Sequence, residues 1–135
     1  MRKHVCVCAI LLLVLSSVSF AKVQVGEHVS EPFATAHPYK GGQGLVMEKI
    51  YHHPNAGYIS LHFKHFDLAP GDYLEIMSGN EVTKYTYRGK GKAVANGDVI
   101  SEFWATHIPG DTAVVRLYSH NPNGGWGFEI DQWVR

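Results

Sequence analysis

The chain is expected to fold as an all-β protein, an antiparallel β-sandwich of seven or eight short strands. Three features of the sequence point there. Short runs of alternating apolar and polar residues recur from Leu45 onward. Turn-forming clusters, such as Pro70-Gly71, Ser78-Gly79-Asn80 and Pro109-Gly110-Asp111, separate them. No stretch of about eleven or more residues carries the 3.6-residue apolar period of an amphipathic helix.

The strands are expected in the following order. Leu45–Tyr51 opens the series. In Gly57–Phe66, Ile59, Leu61 and Phe63 fall on one face and Ser60, His62 and Lys64 on the other, the period of a half-buried strand. Asp72–Met77 alternates again. Val82–Arg88 puts Thr83, Tyr85 and Tyr87 on a common face, and Gly89-Lys90-Gly91-Lys92 follows as a basic, glycine-rich connector. Val99–Trp104 is a further strand. Thr112–Ser119 aligns Ala113, Val115 and Leu117, and His120–Gly125 is a loop. Trp126–Val134 closes the domain, with Trp126, Phe128 and Ile130 sharing one face and Trp133 on the other. Residues 22–40, interrupted by Pro32 and Pro38, read as a leading arm with one short edge strand at Val23–Val25. The sandwich domain itself is expected over residues 41–135.

Residues 1–21 have the build of a secretory signal peptide. Arg2 and Lys3 supply the positive start, Val5 to Val18 the apolar run, and Ser19-Phe20-Ala21 the small residues of a cleavage site. The apolar run is shorter than the ~20 residues of a spanning helix. The expected product is therefore secreted, extracellular and free of a membrane anchor. Cleavage there removes Cys6 and Cys8 and leaves 114 residues with 10 Lys and Arg, 12 Asp and Glu, and eight histidines. Such a product has no disulfide and no thiolate.

The whole chain of 135 residues carries 12 basic and 12 acidic side chains, and 45% of it is hydrophobic. That composition suits a folded domain. The absence of a basic surplus argues against a nucleic-acid partner. No Gly-x-Ser-x-Gly elbow is present, and Ser30, Ser60, Ser78, Ser101 and Ser119 lie in strand or turn contexts, so no enzymatic activity is expected. His62-x-x-His65 has the look of a metal pair, but positions three apart on a regular strand face opposite sides, which makes a histidine-based metal site the weaker reading. Eight histidines do make the charge of the product pH-dependent between about pH 5 and 8. Trp104, Trp126 and Trp133 are candidates for a sugar-stacking surface. Strand parity assigns Trp126 to the core and leaves Trp133 outward.

Several segments together resemble a CUB-like domain. They are Ala36–Tyr39 (AHPY), Tyr58–Leu68 (YISLHFKHFDL), Gly71–Ser78 (GDYLEIMS), Tyr85–Gly89 (YTYRG), Phe103–Val115 (FWATHIPGDTAVV) and Gly127–Ile130 (GFEI). They look like the variant that forms the non-catalytic N-terminal domain of some secreted microbial trypsin-like and lysyl-endopeptidase-like proteases. The resemblance spans about residues 30–135. It implies a jelly-roll sandwich with an extracellular, non-catalytic binding role toward a protein or glycan. A carbohydrate-binding module and a protease accessory domain acting in trans are the alternatives.

Many CUB domains bind calcium through an acidic trio beside a tyrosine. Asp72 falls on the acidic position that opens the Asp-Tyr-x-Glu-Ile strand. Ala69 and His120 occupy the other two positions, and Asp67 is the available substitute. Calcium, held by Asp67 and Asp72, therefore stands as a candidate with a thin ligand set. The resemblance further implies that Asp72 and His120 are neighbours. With Asn121, Asn123 and the outward Trp133, they form the expected binding site, framed by the loops Pro70–Asp72, Gly89–Lys92 and His120–Gly125.

Overall fold

The computed structural model describes residues 26–42 and 44–135. The leader expected over residues 1–21 and the edge strand expected at Val23–Val25 lie outside the described residues. Within them the chain is all-β, with eleven strands and no helix. One antiparallel sheet takes β1 (His28–Ala34), β11 (Gly127–Val134), β3 (Tyr58–Asp67) and β8 (Phe103–Trp104) in that spatial order, with β9 (Ile108–Pro109) paired to the start of β3. The second takes β2 (Gly44–His52), β10 (Thr112–Ser119), β4 (Tyr73–Ser78) and β5 (Lys84–Arg88). A two-stranded hairpin, β6 (Lys92–Ala93) with β7 (Val99–Ile100), joins β5 to β8.

The two sheets close on one core. Ile59, Leu61 and Phe63 of β3 are buried, as the alternation of that segment requires, and so are Ala113, Val115 and Leu117 of β10. Leu74 and Ile76 of β4, the neighbour of β10 in the second sheet, are buried in the same core. Phe63 is the hub of an aromatic cluster, with ring centroids 5.0 Å from Phe103, 5.5 Å from Phe128 and 5.6 Å from Phe66. Tyr87 of β5 points inward, while Tyr85 is 37% exposed at the sheet edge.

Two irregularities change which residues face outward. The register between β3 and β11 shifts between Glu129 and Ile130, and again between Ile130 and Gln132. Lys64 and Asp131 are the extra residues, and each bulge reverses the parity beyond it. Phe63 and Phe66 therefore both point inward although they are three apart, and His62 and His65 lie outside the core together. Ile130 and Trp133 both point inward in the same way, and Trp133 is only 3% exposed. The expectation of an outward Trp133 is thus corrected. Trp126, expected in the core, is instead half-buried just before β11.

The stretch read as a leading arm contains β1, which pairs with β11 at the edge of the first sheet. Pro32 sits within a register shift between Ser30 and Phe33. An edge strand with a bulge tolerates the missing N–H of proline. The segment expected as one strand over Val99–Trp104 is split into β7 and β8.

Gly91 fixes where the β6–β7 hairpin lies. Its φ is +139°, and a Cβ there would fall 2.0 Å from the Ile100 carbonyl oxygen. Gly91→Ala is therefore expected to detach the hairpin from its seat, at a cost of about 2 kcal/mol. Amide exchange checks this: protection at the β6–β7 pairs should be lost while β10 stays protected.

Candidate functional site

Two of the three loops expected to form a binding end, Pro70–Asp72 and His120–Gly125, do meet, but around a buried carboxylate; Gly89–Lys92 takes no part and lines a groove beside the β6–β7 hairpin. Asp72 is 1% exposed. Its Oδ2 accepts the Tyr39 hydroxyl at 2.6 Å and the Ser119 hydroxyl at 2.7 Å. Its Oδ1 accepts the His120 backbone N–H at 3.0 Å and the Asn121 side-chain amide at 2.7 Å. Asn121 also donates to the Pro70 carbonyl at 2.8 Å. Tyr39 in turn accepts the Ala69 N–H at 3.1 Å. Asp72 and His120 are neighbours as the resemblance implies, though through the His120 backbone. The His120 side chain and Asn123 are exposed. Gly124 permits the closure: its φ is +62°, and a Cβ would fall 1.8 Å from the Tyr39 carbonyl oxygen.

The electrostatics follow from this geometry. Burial pushes the Asp72 carboxyl up, but four hydrogen bonds to the charged form outweigh it and hold the group below its ordinary range. Burial, and then the bond to Asp72, raises the Tyr39 phenol. Ser119 is fully buried and donates straight to the carboxylate, so it is not poised as a nucleophile.

This arrangement does not fit a calcium ion. Calcium takes roughly six to eight oxygen ligands, whereas both oxygens of Asp72 already face hydrogen-bond donors. Asp67 is half-buried on β3 and near enough for its charge to act on Tyr39. Among the described residues, no three His, Cys, Asp or Glu side chains are grouped to hold a metal. Asp72, Ser119 and Asn121 thus form a structural knot. Trp133 is structural as well: its Nε1–H donates to Glu31 at 3.0 Å, and its ring packs on Tyr51 with centroids 6.0 Å apart.

Two of the indoles lie on the outer face of the first sheet or beside it. Trp104 of β8 sits across from His62 of β3, with ring centroids 4.8 Å apart, and the His28 ring meets the indole at 5.8 Å. His62 is held by Asp131 at 2.6 Å. Trp104 remains 36% exposed and lines a groove with Tyr58, Ser60, Thr106, His107 and Lys92. Tyr58 and His107 pack edge to face at 5.9 Å. Lys92 Nζ donates to the Trp104 carbonyl at 3.1 Å, tying the hairpin to the groove.

Further along the same face, Trp126 stacks on His37 at 3.9 Å and meets His65 at 4.2 Å. His62 and His65 thus share an exposure but serve two different indoles, not one metal. Trp104 was already a candidate for a sugar-stacking surface on sequence grounds. Tyr58, His107 and Lys92 carry no local pattern that marks them, because three separate segments bring them together.

The chain matches no family model. No curated protein matches it either.

Proposed function

We propose that the chain is a secreted, non-catalytic binding module and that its ligand is a glycan held in the groove beside Trp104. The observation that carries this reading is an indole both exposed and fixed. The His62 and His28 rings pack against Trp104, and Tyr58 and His107 offer two further rings in the same groove. A sugar ring has apolar C–H faces and a polar rim. Aromatic faces with hydroxyl and imidazole groups between them match that chemistry. Because the indole is already held in place, binding need not spend free energy ordering it.

Secretion is supported by the pattern of residues 1–21. A CUB-like jelly roll rests on the order of the segments that carry the resemblance, together with two antiparallel sheets closed on one core. A glycan array probed with the purified protein, followed by titration calorimetry on the best oligosaccharide, tests the reading. Truncating a central aromatic anchor costs about 2 kcal/mol, roughly thirtyfold in Kd. Trp104→Ala should weaken binding by that order without lowering Tm appreciably. Undiminished affinity in that variant, or an array with no positive sugar, contradicts the proposal.

A further inference from the structure

We propose that the glycan is acidic, its carboxylate or sulfate groups lying along a basic extension of the same groove. This rests on the glycan reading above and narrows it to a ligand class. A second groove, between β5 and the β6–β7 hairpin, is lined by Thr86, Arg88, Gly89, Lys90, Lys92 and Val99. Lys92 lines both grooves, so the aromatic surface and the basic one meet at a shared side chain.

Three cations fall within five residues there, and none is neutralised. Elsewhere Lys49 pairs with Glu31, Lys84 with Glu75, Arg116 with Glu48 and Glu81, and Arg135 with Glu27, while Lys40 and Lys64 form no ion pair among the described residues but have no second Lys or Arg within five residues. All 12 acidic side chains of the sequence lie among the described residues. None of them forms an ion pair with Arg88, Lys90 or Lys92. Arg88 is held over the Tyr73 ring at 4.7 Å and Lys92 by a carbonyl, contacts that fix the side chains and leave their charge uncompensated. The surroundings make this local. The product expected after cleavage carries 10 basic and 12 acidic side chains, three of the basic ones in this patch, so a nucleic acid long enough to run beyond the patch would meet the acidic surplus of the remaining surface. A chain of sugars bearing spaced anionic groups satisfies both grooves: ring faces on Trp104 and Tyr58, charges on Arg88, Lys90 and Lys92.

The test compares three hexasaccharides at two salt concentrations: a neutral glucan, a galacturonan and a heparin fragment, with single-stranded DNA as a fourth probe. The acidic sugars should bind about tenfold or more tightly than the neutral one, with an advantage that shrinks as salt rises. Lys90→Glu and the double variant R88Q/K90Q should remove that advantage while leaving neutral-sugar binding in place. The relative strength of galacturonan and heparin fragment tells carboxylate from sulfate recognition. Equal, salt-insensitive binding of all three sugars overturns the acidic assignment and leaves the glycan reading standing. DNA binding tighter than any sugar overturns the ligand class. Binding of no sugar at all overturns both readings.

Discussion

Asp72→Ala is expected to lower the stability of the domain by about 3 kcal/mol or more, and its Tm by roughly 10–15 °C. The substitution removes the common acceptor of four donors, and two of them belong to the fully buried Ser119 and the nearly buried Tyr39. Each buried donor left without a partner costs its full desolvation. Asp72→Asn keeps the shape but turns an amide group toward donors, so an intermediate loss is expected. The carboxyl is held below its ordinary range in the fold. Its contribution is therefore complete above the unfolded carboxyl range, near pH 4, and is lost as pH falls through the lower folded value. A Tm series from pH 7 to pH 2 checks this: the wild type should lose its advantage over Asp72→Asn only at the acid end. An Asp72→Ala protein with wild-type Tm would mean that the knot does not hold the loops together.

Trp133→Ala is expected to cost about 3–5 kcal/mol, the usual range for deleting a buried indole. The loss is one of packing against Tyr51 and of the hydrogen bond to Glu31. Glu31 also pairs with Lys49 at 3.0 Å, so the indole helps to seal the edge where β1 and β2 face each other. Trp133→Phe keeps most of the packing and should cost about 1–2 kcal/mol for the lost hydrogen bond. The informative readout is ligand affinity measured on the folded Trp133→Phe protein. A structural indole leaves it unchanged, whereas a contact residue does not.

These two residues show where reading the sequence succeeded and where it failed. Alternation in Tyr58–Phe63 and in Thr112–Leu117 identifies the core strands directly, because a period of two has one buried face. The same rule fails at Phe63-Lys64-His65-Phe66 and at Ile130-Asp131-Gln132-Trp133. In each, two polar residues separate two large apolar ones inside a strand. That spacing is itself the mark of a bulge: the two apolar side chains can share the core only if an extra residue is inserted between them. Reading it so would have sent Trp133 inward and put His62 and His65 outside together. Asp72 was legible as a member of the loop cluster. Its burial was not, since that depends on Tyr39 and Ser119 arriving from 33 and 47 residues away. The groove beside Trp104 was illegible for the same reason, because strands β3 and β8 and the β6–β7 hairpin must first assemble.

The most direct test follows the three indole Nε1–H signals by NMR while an acidic hexasaccharide is titrated into the protein. The Trp104 signal should shift strongly, together with the amides of Tyr58, His107 and Lys90 to Lys92. The Trp133 signal should stay still, and so should the amides of His120, Asn121 and Asn123. Shifts confined to Trp133 and the His120–Asn123 loop, with Trp104 unmoved, would contradict the account.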